Sequence, residues 1–411
     1  MPDSGSDKSP LPTGLALTGL DANFRENPHQ TLDRLRNDAP VHHDKTLDCI
    51  YFTRHADAKT LLADKTLSRD PRKAGPDSIV RLRAPARLVS GEVPPNMMWM
   101  DDPEHRRQRS LVSKAFTPRA VEAMRAPIQK IVDDLLDAAQ AKRIFDGIAD
   151  LAVPVPISVL ADLFDFPRED WPKFYTWSQD ISATLSAFRT EDETERLKKA
   201  EGALEAYLHS AIKARRKTPG QDLISGLVLA EENGERLDDI EIASVIFVLV
   251  LAGNITTTDF IGNSIVTLLQ NPEELAKLRA DPSLIRNALD ELLRFNPPVA
   301  LTTRHPTAAG TYAGCPVKAG TGLIVSILAV NRDPAAFPEP HILKLERNAK
   351  DHLSFGGGTH HCIGAPLARL EAEITLTSLF RRFPNLRLAA PDLKRKVFPT
   401  LCGYAAIPLA V

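Results

Sequence analysis

Apolar residues recur at three- and four-residue spacing through most of the chain, the period of helices that bury one face. "NPHQTLDRLRND" (27–38) predicts a short amphipathic helix, and "PRAVEAMRAPIQKIVDDLLDAAQAK" (118–142) a longer one. "ERLKKAEGALEAYLHSAIKARRK" (195–217) predicts another, its basic end suiting the negative end of the helix dipole. From Asp238 to Gln270 the pattern barely breaks, predicting a helix of about 50 Å at about 1.5 Å per residue, long enough to cross a domain. Strand signals are fewer. "PVHHDKTLDCIYFTR" (40–54) and "GTYAGCPVKAGTGLIVSIL" (310–328) alternate or carry β-branched runs, with Gly and Pro marking turns. No internal repeat appears, and the first twenty residues are polar and rich in Pro, Gly and Ser. The pattern predicts a flexible N-terminal segment (1–20) followed by one domain (21–411), mainly α with small β-sheets.

Composition narrows the class. With 43% apolar and 25% charged residues and a net charge of −2, the chain reads as globular, without the field that would draw nucleic acid. The N-terminus lacks a basic start followed by an apolar core, so no signal peptide is expected. The most apolar run, Ile242 to Gly253, falls short of the about 20 residues a bilayer span needs and reads as a buried helix core. Cys49, Cys315, Cys362 and Cys402 share no repeated spacing, which argues against a disulfide framework and for a reducing compartment. The expectation is a soluble cytoplasmic protein with no membrane anchor.

One stretch concentrates chemistry. "FGGGTHHCIGA" (355–365) sets three glycines and two histidines before Cys362. Glycine is costly to order and is kept where backbone bends sharply or approaches something closely. Zinc would need partner ligands at finger-like spacing, and no second cysteine is near. A catalytic cysteine lacks a surrounding signature. An axial thiolate to haem iron explains the glycines, because a flat macrocycle against the loop leaves no room for side chains. A helix follows with Pro366 near its first turn, and amides at its start would stabilise a thiolate.

These residues carry a resemblance. "FGGGTHHCIG" matches the cytochrome P-450 haem-binding signature, Phe-x-x-Gly-x-(His/Arg)-x-Cys-x-Gly, at every defined position. "ELLR" (291–294) resembles the family's Glu-x-x-Arg helix, and "NRDPAAFPEPHILKLER" the meander that follows, ending at Arg347. "MDDPEHRRQR", "TTRHPT" and "LAGNITTT" resemble further family segments in the family's order, from about residue 98 to 371. The chain is most similar to soluble bacterial members.

The resemblance implies the cytochrome P-450 fold, with the long central helix over haem b (iron protoporphyrin IX), and Cys362 as the metal ligand. It places Phe355, Gly356 and Gly364 against the haem, and His105, Arg109, Arg304 and His360 at its propionates. It places Ala252, Gly253 and Thr256 on the oxygen side, and a substrate pocket at Val248, Ala252, Val299, Ala300, Thr302 and Leu401, extending to Cys402. Glu291, Arg294 and Arg347 are expected to form a buried ion network, and His352 to be structural. Arg81, Arg83 and Arg87 precede the "MDDPEH" segment; one could pair a substrate carboxylate, though surface exposure is the simpler reading.

The implied reaction is insertion of one oxygen atom from O2 into a hydrophobic small molecule by a monomeric enzyme. Ferredoxin and ferredoxin reductase would supply electrons, with Arg106, Arg107 and Arg369 as a docking patch whose plain alternative is a solvated face. The chain departs from its relatives at Ile255, where the family usually carries Asp or Glu before the threonine. Asp259, three residues after Thr256, is one candidate to re-protonate that alcohol; Asn254, water or a substrate group are others. A peroxide-driven oxygenase and a non-catalytic haem-thiolate ligand-binding protein are the alternatives.

Overall fold

Asp238 starts the longest helix, accepting from the Glu241 amide while the Glu241 carboxylate accepts from the Asp238 amide. This reciprocal cap satisfies two donors that the first turn leaves free. The structure is a computed structural model that describes residues 10–186, 189–232 and 234–411. Its central helix runs Asp239–Gln270 and ends before Pro272. It is the one helix among the described residues long and apolar enough to cross a membrane. Its apolar surface is met by protein, because helices Pro154–Leu163, Trp171–Ile181, Glu191–Lys217 and Ala365–Arg382 all pack on it. Burial, rather than the shortness of the Ile242–Gly253 run, is therefore what marks it as a core helix.

The helical readings hold with two changes. The 118–142 segment is two helices, Pro118–Ala123 and Arg125–Gln140, broken at Met124. The 195–217 helix begins earlier, at Glu191, because Thr190 and Glu193 cap it reciprocally. Its buried Leu204, Leu208 and Ile212 recur every fourth residue, the stripe that amphipathic packing requires.

The sheets are small and lie to one side. A five-stranded sheet runs in the order Val41–Asp44, Cys49–Phe52, Gly322–Ser326, Leu301–Pro306, Leu67–Ser68. Its one parallel pairing joins Cys49–Phe52 to Gly322–Ser326, an early segment to a late one. Residues 10–20, expected to be flexible, belong to the domain instead. The Gly14 amide donates to Asp44 Oδ2 at 2.6 Å, and Leu17 is buried among Phe24, Leu32 and Leu35. At Gly19 a Cβ would lie 2.2 Å from the Phe398 carbonyl oxygen, so only glycine permits this approach. Residues 1–9 lie outside the described residues.

Candidate haem-thiolate site

Cys362 lies between a 3-10 turn, Gly358–His360, and the helix Ala365–Arg382, and its amide donates to the Phe355 carbonyl at 2.9 Å. Cys362 keeps exposed surface, although protein atoms crowd round its thiol. Burial pushes the thiol up, while the amides of Gly364 and Ala365 and the charges of Arg109 and Arg369 pull it down. Such donors favour a thiolate once a cation faces it.

The glycines answer partly to the protein. Gly358 has φ +66°, and a Cβ there would lie 1.9 Å from the Leu62 carbonyl oxygen; at Gly357 it would press the Leu62 side chain at 3.2 Å. These two glycines thus seat the loop on helix His55–Ala63. Gly356 has φ +69°, a Cβ there would meet the His360 carbonyl oxygen at 3.7 Å, and at Gly364 a Cβ would sit 4.0 Å from the Cys362 Sγ. Phe355 is partly buried, with the Arg369 guanidinium 4.5 Å above its ring.

Beside the loop stands a cluster of basic side chains in which only His105 has an acid within reach, Asp102 at 3.5 Å, among the described residues. The His105 and His360 rings are 4.0 Å apart, and Arg109 Nη2 donates to the His361 carbonyl at 2.6 Å. Burial, then Arg69, His105, Arg304 and Arg109, hold His360 well below its ordinary pKa, so it is neutral. Burial and then the Arg109 charge lower His105 as well, and its Nε2 has no partner. Arg304 is 3% exposed and pushed down to about 9, by burial first and then by Arg69. Among the described residues no carboxylate forms an ion pair with Arg69, Arg109 or Arg304. A buried cation without an acid is costly, and a bound dianion removes the cost.

Sequence reasoning missed Arg69. It belongs to this cluster because the edge strand Leu67–Ser68 pairs with Leu301–Pro306, which carries Arg304. Its backbone amide donates to Asp101 Oδ1 at 2.8 Å, its Nε has no partner, and burial lowers its pKa to about 10. A pairing across more than two hundred residues carries no local signal, so nothing in the sequence pointed to it.

The central helix presents a narrow open face. Ala252, Gly253 and Thr256 are half-buried while Asn254, Ile255, Thr257, Thr258 and Asp259 are buried. Thr256 Oγ1 donates to the Ala252 carbonyl at 2.6 Å. Asn254 turns away, its amide donating to Ser178 Oγ at 2.8 Å. Asp259 also turns away: it is 0% exposed and pairs with Lys396 Nζ at 2.6 Å. Its three-residue spacing from Thr256 predicted a shared face. Packing against the C-terminal hairpin claims the carboxylate instead, so Asp259 does not hydrogen-bond Thr256.

The thiol, the unpaired cations and the helix face together fit one known family. A Cytochrome P-450 family model matches residues 93–386. This chain belongs to the cytochrome P-450 family. It is 35% identical over 399 residues to the polyketide biosynthesis cytochrome P-450 PksS of Bacillus subtilis, covering 94% of this chain and 96% of that one. The solved PksS structure superposes with a TM-score of 0.87, covering 95% and 98% of the two chains. The cytochrome P-450 monooxygenase PikC of Streptomyces venezuelae is 36% identical, with 97% and 94% covered. A myxobacterial cytochrome P-450, CYP267B1, solved with myristic acid, is 36% identical with a TM-score of 0.87 and 94% and 97% covered. The chain therefore has the P-450 fold and is a P-450 monooxygenase of bacterial type, an oxidoreductase whose family uses a haem-thiolate cofactor.

The remaining P-450 segments fall as follows. Arg294 grips Glu291 with two bonds, 2.7 and 2.8 Å, and Arg347 Nε reaches the same carboxylate at 3.1 Å. His352 lies 3.5 Å from Asp290, away from the cation cluster. Val248 is buried yet packs into no apolar cluster, and Val299 bridges Leu401. Thr302 is half-buried on its strand. Ala300 instead packs with Leu17, Phe24 and Leu328, so its side chain belongs to the N-terminal cluster. Arg83 is enclosed rather than exposed, its Nε unpartnered near Arg69 and Tyr51, whereas Arg81 and Arg87 lie nearer the surface. The expected docking patch is largely neutralised: Arg107 pairs with Glu241, and Arg369 with Asp290 at 2.8 Å. Arg106 projects, its side chain 73% exposed, pairing with Asp102 at 2.9 Å.

Proposed function

We propose that this P-450 binds haem b, that Cys362 would supply the thiolate to its iron, and that the protein inserts one oxygen atom into a hydrophobic small molecule. The observation that carries the reading is the Cys362 thiol beside Arg69, Arg109 and Arg304, none of which forms an ion pair with a carboxylate among the described residues. Those residues fit the group: His105, Arg109, Arg304, His360 and Arg69 would hold two propionates through charge-assisted bonds. Phe355, Gly356 and Gly364 would line the thiolate side. The cofactor supplies oxygen activation, which a thiolate ligand favours. The protein then orients, excludes water and delivers protons.

On the helix side, Thr256 presents a hydroxyl that could deliver a proton there once it releases its bond to the Ala252 carbonyl. Ala252 keeps that face low, while at Gly253 a Cβ would meet Leu160 at 3.4 Å, so this glycine also serves helix packing. Val248, Val299 and Leu401 supply apolar walls, with Thr302 at their edge, which suits a polyketide or fatty-acyl substrate such as the names of PksS and the myristate complex suggest. Electrons come from a separate ferredoxin and its reductase, and the protein works in the cytoplasm as a monomer.

A second reading has a specific observation behind it. Ile255 replaces the usual acid, and Asn254 and Asp259 both face away from the cleft. With no carboxylate on the open face, a peroxide-driven route, which brings its own protons, gains weight over O2 turnover.

The test is spectroscopic and kinetic. The purified protein should bind haem noncovalently and show the red-shifted carbon monoxide band of a thiolate-ligated ferrous haem, and Cys362→Ala should lose it. A band retained in that variant overturns the ligand assignment. Product formation with ferredoxin and reductase, with hydrogen peroxide, and with neither separates the O2-driven, peroxide-driven and non-catalytic readings.

A further inference from the structure

A second cavity, of about 150 Å³, opens between the N-terminal segment, the C-terminal hairpin and the ends of two helices. Thr267 lines it, eleven residues past Thr256, so it lies about 16 Å further along the central helix than the oxygen-side face. Of the residues expected at the substrate pocket, Ala300, Leu401 and Cys402 also line it.

The polar lining is cationic. Arg25, Arg332, Arg395 and Lys396 line it, against the single carboxylate of Glu26. Lys396 is committed to Asp259 at 2.6 Å. Arg25 donates through Nη1 to the Gly19 carbonyl at 2.9 Å and meets Glu26 at 3.6 Å, while its Nε makes no hydrogen bond. Arg395 has no acid partner among the described residues; its guanidinium lies 4.7 Å over Tyr404. Arg332 is 5% exposed, stacked 3.7 Å over Phe295, and its Nε has no partner. His29, which also lines the cavity, has a partnerless Nδ1 and is kept neutral by burial and then by Arg332.

Two helix C-termini, at Gln270 and Phe295, also face this space and by themselves would repel an anion. Arg332 already answers the second, donating through Nη2 to the Phe295 carbonyl. Arg332 Nη1 also lies 3.3 Å from His341 Nδ1, so the arginine donors left without a partner are the Nε atoms of Arg25 and Arg332. Unsatisfied buried donors carry a penalty that an oxyanion with several lone pairs would remove.

We propose that this cavity is a binding site for a small oxyanion, a carboxylate or phosphate of about benzoate size, held between Arg332 and Arg395 with Arg25 at the rim. The volume sets the size limit, since about 150 Å³ accommodates one aromatic ring. The apolar share of the wall, Phe24, Leu328 and Phe398, accommodates an organic body as readily as water. Occupancy also reaches the substrate side. Arg395 and Lys396 belong to a hairpin in which Arg395 bridges Tyr404 and the Lys396 amide donates to the Gly403 carbonyl at 2.9 Å. The same hairpin carries Leu401, which bridges Val299. An anion tying Arg395 to Arg332 therefore braces the wall of the substrate pocket.

The test is calorimetric titration of the purified haem-loaded protein with potassium phosphate, sodium benzoate, and potassium chloride at matched ionic strength. The Soret band is followed in parallel. The expected result is one-to-one binding of phosphate, benzoate or both, a raised Tm, and an unchanged Soret band. Arg395→Gln and Arg25→Gln should each weaken binding by about tenfold, as loss of one charge-assisted hydrogen bond implies. Benzoate binding alone assigns an organic acid; phosphate binding alone assigns an inorganic or phosphorylated one. The proposal falls if neither anion acts beyond chloride, or if both variants bind as the parent does. It falls equally if binding is accompanied by a Soret shift, which would place the anion at the haem.

Discussion

Thr256 carries the hydroxyl of the cleft face, and its 2.6 Å bond to the Ala252 carbonyl keeps it on that face. Thr256→Ala should divert reducing equivalents to hydrogen peroxide, measured as less product per NAD(P)H consumed. Asp259→Asn should leave that ratio at the parent value, since its carboxylate faces Lys396. It should instead cost stability, about 2 kcal/mol by urea unfolding, because one end of the broken pair is buried and the other is 28% exposed. Glu371 makes a separate residue-scale case. It is 3% exposed, its Oε2 has no partner, and burial alone raises it to about 8. The folded protein thus holds a proton that the unfolded chain releases near 4.5. Native protein binds more protons than unfolded between those values, so stability falls as pH rises from about 4.5 to about 8. Glu371→Gln should flatten that slope and raise Tm at pH 7.5 more than at pH 5, as thermal melts across the range would show.

At the scale of elements, charge is arranged mostly for internal use. Helix Glu104–Ser113 carries His105 and Arg109 inward, Arg107 sideways to Glu241, and Arg106 outward. Rim charges steer encounter and are screened beyond about 10 Å at 0.1 M salt. Arg106→Glu should therefore slow reduction by an acidic ferredoxin, with the effect fading as salt is raised. Arg107→Glu places two carboxylates together and should lower Tm more than it slows reduction. Stopped-flow reduction rates and thermal melts on both variants separate the two effects; salt-independent rates in Arg106→Glu would leave it a solvated surface charge.

At the scale of the whole molecule, the two ends of the chain close one side. Gly14 bonds Asp44, Gly19 lies against the Phe398 carbonyl, and the hairpin with Phe398 is pinned by Asp259 to the central helix. A chain beginning at Asp21 should melt several degrees below one beginning at Pro10, because Leu17 loses its place in the cluster with Phe24 and Leu32. Burying one such side chain contributes about 2 kcal/mol. Calorimetry on the two truncations checks this.

The sequence by itself determined what is written in local spacing. The Cys362 loop with its following helix, the Glu291–Arg294 pair one helical turn apart, and the long capped central helix each depend on neighbours within a few residues. The family signature was legible for the same reason. Tertiary structure alone decided which way side chains on those elements face. Asp259 and Thr256 share a spacing that suits a relay, yet Lys396 and Gly403, from a hairpin 137 residues away, claim the carboxylate. Arg69 joins the cation cluster only because two strands pair across the chain, and the glycines before Cys362 answer to Leu62 as well as to any cofactor. Helical period sets which residues can share a face; what packs against that face sets what they do.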